Sequence, residues 1–173
     1  MGSLTFRQAI NRVVACLVIL SPAWASAAET TLGFGSAGKV HIGARFDQLG
    51  IPLKEPIDRK AQDFSGRCFY VAAAAAPRFL IMLVDERVVR FDVYEPGLAT
   101  AEGIRVGDSV EKLRSAYGAQ LASAPNFYSE DDLDYRIKSP DGRYAYRFES
   151  HAGKVTSIFA GDAKAVEYVE GCL

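Results

Sequence analysis

The chain carries one pattern twice. Gly103-Ile-Arg-Val-Gly-Asp-Ser-Val-Glu-Lys-Leu-Arg-Ser-Ala-Tyr-Gly118 has a shorter counterpart 64 residues earlier, Gly38-Lys-Val-His-Ile-Gly-Ala-Arg-Phe-Asp-Gln-Leu-Gly50. Aligned on Gly43 and Gly107, Val40 matches Ile104, Ile42 matches Val106, Phe46 matches Val110 and Leu49 matches Leu113. In each copy an apolar-x-apolar pair predicts a short strand, the glycine a tight turn, and the remainder one or two helical turns. A repeat constrains architecture before any single element does, because both copies must find equivalent places in the fold.

The segments downstream of the two copies are also alike. After the first, Cys68-Phe-Tyr-Val71, the apolar Arg78 to Val84 and the returning Arg87 to Tyr94 predict strands, with Asp85-Glu86 turning between the last two. After the second, Leu133 to Ile137, the alternating Arg143-Tyr-Ala-Tyr-Arg-Phe148 and Lys154 to Phe159 predict three more, with Ser139-Pro-Asp-Gly142 and Ala152-Gly153 as turns. Asp108 with Glu111 three residues on suggests a capping box opening a helix over Ser109 to Tyr117, whose apolar face is Val110, Leu113 and Tyr117. These elements predict an α+β fold of two tandem helix-plus-antiparallel-hairpin repeats, about 38–97 and 103–160. Their hairpins would form one sheet, with short helices on one face and the other face partly solvated.

The first residues stand apart from that domain. Arg7 and Arg12, the apolar Val13 to Leu20 and the small residues Ala25-Ser-Ala27 make a secretory signal pattern over 1–27, too short to span a membrane. Val13-Val-Ala-Cys16 has the shape of a lipobox, but the apolar run continues past Cys16, which favours cleavage near Ala27. The expected mature product is a single domain over 28–173, periplasmic or secreted. Without Arg7 and Arg12 it has 18 basic and 21 acidic residues, a net charge of −3, which gives no electrostatic footprint for nucleic acid. It would keep two cysteines, Cys68 and Cys172, and in an oxidising compartment these are expected to pair. The loop so closed holds roughly 100 residues, for which chain entropy gives about 4.7 kcal/mol. The bond would also tie down a C-terminal tail beyond Ala160.

Chemistry-bearing motifs are sparse. Gly33-Phe-Gly35-Ser-Ala-Gly38 matches the glycine fingerprint of dinucleotide sites, yet no strand precedes it and no helix follows, so Thr30 to Lys39 is expected to be a flexible mature N-terminus. His41 and His151 are isolated, no nucleophile motif is recognisable, and the acidic run Glu130-Asp-Asp132 with Asp134 lacks the spacing of a calcium loop. No enzyme activity, cofactor or metal is therefore expected. The strands do concentrate tyrosine and arginine, side chains enriched at interface hot spots. Tyr70, Arg90, Tyr94, Tyr135, Arg143 and Arg147 make a candidate binding face on the open side of the sheet.

The repeated start, Val40, Ile42, Gly43 and Leu49, then Ile104, Val106, Gly107 and Leu113, resembles the superfamily that contains the secreted β-lactamase inhibitor proteins and the small outer-membrane assembly lipoproteins of the SmpA/OmlA type. That resemblance implies tandem helix-plus-sheet units and protein binding through the sheet face and loops. This chain differs in linking its halves by one disulfide. The function expected is that of an exported non-catalytic binding module, a protein inhibitor or envelope scaffold whose partner is another envelope or secreted protein. The alternative is a small-molecule or glycan-binding periplasmic protein that uses the same aromatic strands.

Overall fold

In a computed structural model, residues 30–55, 66–75 and 78–172 are described. The signal pattern, Cys16 and part of the polar stretch after Lys54 lie outside them. The described chain runs β1 (Thr31–Gly33), β2 (Ser36–Ala37), β3 (Val40–His41), β4 (Cys68–Ala72), β5 (Leu80–Val84), β6 (Arg87–Val93) and β7 (Ala99–Thr100). Then come α1 (Val110–Tyr117), β8 (Ala122–Pro125), β9 (Leu133–Lys138), β10 (Tyr144–His151) and β11 (Lys154–Asp162).

The fold is mostly β, which overturns the α+β expectation. Among the described residues strand makes up 44% and helix 13%, with one α-helix and two antiparallel-rich sheets in place of helix-plus-hairpin repeats. The larger sheet has seven antiparallel strands in the order β4-β5-β6-β11-β10-β9-β8, and the smaller has four in the order β3-β2-β1-β7. Two causes account for the difference. The first expected helix stops after a single 3₁₀ turn, Phe46–Gln48, because Gly50 takes a left-handed φ of +65° and Pro52 comes next but one. The supposed flexible N-terminus also folds. It supplies β1 and β2, and β1 pairs in parallel with β7. Leu32 is buried there, Phe34 stacks on Tyr146 at 4.2 Å, and the Tyr146 hydroxyl donates to Leu32 O at 2.7 Å.

Locally the two glycine turns are alike. Gly43 and Gly107 have φ of +86° and +93°, and their amides donate to Val88 O and Val155 O, both at 2.8 Å. Val88 N and Val155 N return bonds to Ala44 O and Asp108 O at 3.0 and 2.9 Å. After Gly107 the chain does enter a helix. Its N-cap is Ser109 rather than Asp108: the Ser109 hydroxyl accepts from Lys112 N at 3.2 Å, while Asp108 accepts from Arg105 N and Lys112 Nζ, both at 2.8 Å. Val110, Leu113 and Tyr117 are its buried face.

Strand alternation sends side chains to two different environments. On one face of the large sheet Phe69, Val71, Ile81, Phe91, Tyr146, Phe148 and Ile158 form the main core with α1 and the small sheet. The other face carries Tyr70, Arg90, Asp92, Arg136, Arg147, Glu149 and Phe159, and part of it is covered. The tail after β11 crosses it as a strap, with a 3₁₀ turn at Ala165–Glu167 and Val166 fully buried against Ala145 and Phe159. The second face is therefore partly solvated: Arg90 and Arg147 are buried, while Arg136 and Glu149 keep 29% and 22% of their side chains exposed. Cys68 and Cys172 close the strap with a disulfide, Cα–Cα 5.3 Å. Among the described residues no helix is long and apolar enough to cross a membrane.

Candidate functional site

The strap-covered face is built from residues two apart on three strands. Arg90 and Asp92 share β6, Arg147 and Glu149 share β10, and Asp134 and Arg136 share β9. A spacing of two puts both members of each pair on one side. Arg90 Nε and Nη2 fork onto Asp92 Oδ1 and Oδ2 at 2.7 and 2.8 Å, and Nη2 also donates to the Tyr70 hydroxyl at 2.6 Å. Arg147 Nη2 donates to Glu149 Oε1 at 2.8 Å, and the Ser157 hydroxyl donates to Glu149 Oε2 at the same distance.

Between the two arginines lies Phe159 of β11. The guanidinium carbons of Arg90 and Arg147 stand 4.9 and 4.4 Å from its ring centre, so one aromatic ring serves two buried cations. The Tyr94 ring meets the same ring edge-on at 5.9 Å, and its hydroxyl points to Asp92 Oδ2 at 3.4 Å. Beside Asp92 and Tyr94 opens a cleft of about 220 Å³ with an apolar floor of Ala72, Phe79 and Leu80, flanked by Lys54 and by Arg78.

Electrostatics follow from burial and pairing. Burial pushes the Tyr94 phenol up to about 12, and the Asp92 carboxylate adds to the shift. The Tyr70 phenol is raised for the same two reasons, so both stay protonated donors through the physiological range. Burial opposes the charge on Arg90, but the Asp92 hydrogen bonds and charge outweigh it and hold the guanidinium above its ordinary value. Arg147 has 1% of its side chain exposed, yet its Nε and Nη1 find no acceptor among the described residues, and neither does Arg136 Nη1. A buried guanidinium with unused donors has spare capacity to bind carbonyl or carboxylate oxygen.

Of the six side chains expected on a common open face, the structure brings four together. Tyr70, Arg90, Tyr94 and Arg147 share the strap-covered side, where only Tyr94 is substantially exposed, at 51%. Tyr135 is not among them. It stands opposite Phe148 in register, is buried in the main core, and is capped by Arg114 with Nη2 3.2 Å from its hydroxyl. Arg143 also falls outside, on the exposed β9–β10 turn, where its Nε donates to Asp141 at 2.6 Å. Sequence reasoning passed over Asp92, Arg136, Glu149 and Phe159. The acid–base spacing of two within predicted strands was the signal that could have found the first three.

Around this polar floor stand further exposed aromatics. Tyr168 belongs to the strap, and its carbonyl accepts from Arg90 Nη1 at 2.7 Å. Tyr128, on the β8–β9 loop beside Phe127, hydrogen-bonds the strap's Glu170. Its phenol is raised chiefly by that bond. Among the described residues no group of three or more His, Cys, Asp or Glu could hold a metal ion.

No family model and no curated protein matches the chain. Among solved structures it is similar to the crystal structure of the uncharacterized protein YfeY from Escherichia coli, at 13% identity and a TM-score of 0.49, over 76% of this chain and 99% of that one.

Proposed function

We propose that the protein is an exported, non-catalytic binding module whose partner is another envelope or secreted protein, inhibited or scaffolded through the strap-side face. The observation that carries this reading is the exposed aromatics tied to the strap side, Tyr94 against Phe159, Tyr168 on the strap, and Tyr128, bonded to the strap's Glu170, with Phe127 against it, together with the buried, carboxylate-paired arginines of the same face. Large amphipathic rings over desolvated guanidinium groups are the composition of interface hot spots.

Export is inferred from the signal pattern, with cleavage near Ala27 and a periplasmic or secreted location, and it accords with the Cys68–Cys172 disulfide. The intact mass of the exported form tests it: a start near Ala28 is expected, and a diacylglyceryl adduct on Cys16 would refute it. The binding reading is tested by affinity capture from an envelope fraction with the mature chain as bait, in its oxidised and its reduced form. A discrete partner is expected, lost when Tyr94 and Tyr128 are both changed to Ala and kept with Tyr144→Ala. No partner at micromolar bait would defeat the proposal.

The cleft beside Asp92 and Tyr94 favours a second reading, a small-molecule or glycan binder. Thermal-shift screening with sugars and cell-wall fragments separates the two, since a ligand at about 100 times its dissociation constant adds about 2.7 kcal/mol.

A further inference from the structure

The strap is held in the manner of a bound peptide. Its first residue still follows the β10–β11 ladder, Ala163 N donating to Arg143 O at 3.0 Å, but beyond it the contacts of the strap to the face among the described residues are made by side chains that select particular features of it. Arg90 Nη1 donates to two strap carbonyls, Ala165 O at 2.9 Å and Tyr168 O at 2.7 Å. Val166 fills an apolar notch formed by Ala145 and Phe159. Arg136 Nε takes the Glu167 carboxylate at 3.0 and 2.9 Å. Gly171 lies so close to Tyr70 that a Cβ there would stand 2.5 Å from the hydroxyl.

Two further facts separate this from ordinary tail packing. The face has more donors than the strap uses, because Arg147 Nε, Arg147 Nη1 and Arg136 Nη1 are buried without acceptors among the described residues. The strap is also fixed at only two covalent points: it leaves β11 at Asp162 and is bonded to β4 through Cys172.

Resting on the reading of the chain as a binding module, we propose that the strap-side face is a peptide site, occupied in cis by residues 163–171. Its external ligand is an acidic segment with a branched apolar residue followed by glutamate. The Cys68–Cys172 bond locks the internal copy in place, and a dithiol reductant opens it. A thiolate of the dithiol attacks one sulfur of the bond, and the partner cysteine leaves as a thiolate and takes a proton. The second thiol of the reductant then resolves the mixed disulfide. Two electrons pass to the protein, which ends with two thiols, and the reductant ends as a disulfide. Both cysteines are only half-buried, so the bond can be reached. The unused arginine donors offer an acidic external segment carbonyl or carboxylate contacts that the strap does not make.

The probe is a fluorescein-labelled, amidated peptide copying residues 163–171, Ala-Lys-Ala-Val-Glu-Tyr-Val-Glu-Gly. Its anisotropy is followed with three full-length mature proteins: oxidised wild type, Cys68→Ser/Cys172→Ser, and that pair with Val166→Ser to empty the notch. Because a tethered strap competes at millimolar effective concentration, oxidised wild type should show no binding, and the triple variant should bind at least about tenfold more tightly. A peptide with lysine in place of the glutamate after its first valine should not bind. Equal binding to oxidised wild type, no binding to a folded triple variant, or a strap-exchanged dimer on gel filtration would each overturn the proposal. If the triple variant does not fold, hydrogen exchange of wild type decides. On reduction the Glu167, Tyr168 and Gly171 amides should exchange faster while β10 and β11 stay protected, and unchanged strap protection would overturn it. The peptide needs no natural partner, so failure to capture an envelope protein leaves this inference intact. A partner captured with the strap closed would leave the binding reading standing and remove this one.

Discussion

Arg90 and Asp92, two residues apart on one strand, form a two-pronged ion pair at 2.7 and 2.8 Å with side chains only 2% and 1% exposed. The pair is therefore almost wholly desolvated, and each buried charge is compensated by the other. Breaking such a pair leaves a buried charge alone, which costs about 3–5 kcal/mol, whereas replacing both partners can be close to neutral. Asp92→Asn is expected to lower stability by that amount in urea denaturation. The double variant Arg90→Leu/Asp92→Leu should cost less than the sum of its singles. Additive losses would mean the two side chains act independently.

Gly161 of β11 stands opposite Arg90 of β6. Its φ is +155°, and an added Cβ would collide with Val89 O and stand 2.8 Å from Arg90 Cα, both backbone atoms that have little room to move. Gly107 has φ +93° but nothing within 4 Å of the same position. Gly161→Ala should therefore cost backbone strain and overpacking, about 1–3 kcal/mol each, and Gly107→Ala the strain alone. Equal urea midpoints for the two variants would contradict this.

Loss of the disulfide should free the strap before it unfolds the sheets. Cys68 and Cys172 close a sequence separation of 104 residues. Removing a native disulfide from a small domain costs about 2–5 kcal/mol out of a total near 5–15. Cys68→Ser/Cys172→Ser should fold, melt lower, and be cut first by trypsin after Lys164, a position already exposed. First cleavage within β10 or β11 would show that the strap is not the weakest element.

His151 supplies a pH dependence whose sign can be worked out. Its Nδ1 stands 2.8 Å from Asp132 Oδ2; that hydrogen bond raises the imidazole and lowers the carboxyl. The raised histidine stabilises fully below about pH 6.5, and the effect is lost as pH climbs through its folded value. The lowered aspartate stabilises above about pH 3.9, and that effect is lost as pH falls through its folded value. The difference in Tm between wild type and His151→Gln should therefore be greatest between about pH 4 and 6.5 and shrink above it. A difference constant from pH 4 to pH 9 would assign the pair no role.

Much of the large sheet could be read from residues alone. The alternation of Tyr144 to Phe148, the apolar run of β5 and the glycine turns at Ala152-Gly153 announce hairpins, because side-chain period and turn chemistry are local properties. The helix face Val110, Leu113 and Tyr117 was legible for the same reason, as was the pairing of the only two cysteines left after a signal is removed. The acid–base pairs of the candidate site were written at a spacing of two, although which sheet face they lined was not.

Other features were decided only by tertiary structure. Strands of two or three residues, such as β2, β3 and β7, are too short to show a period, and β1 pairs with β7 only because folding brings Leu32 beside Thr100. Alternation assigns Tyr135 and Arg136 to opposite sides but cannot say which side is core. That choice was made by α1, which covers Tyr135, and by the strap, whose Glu167 meets Arg136. The strap carries no periodic signal, and its place on the sheet depends on partners far away in sequence: Arg90 at its carbonyls, Phe159 at Val166 and Cys68 at its end. Local propensity is set by neighbours along the chain, whereas the environment of a charged side chain is set by whatever folds over it.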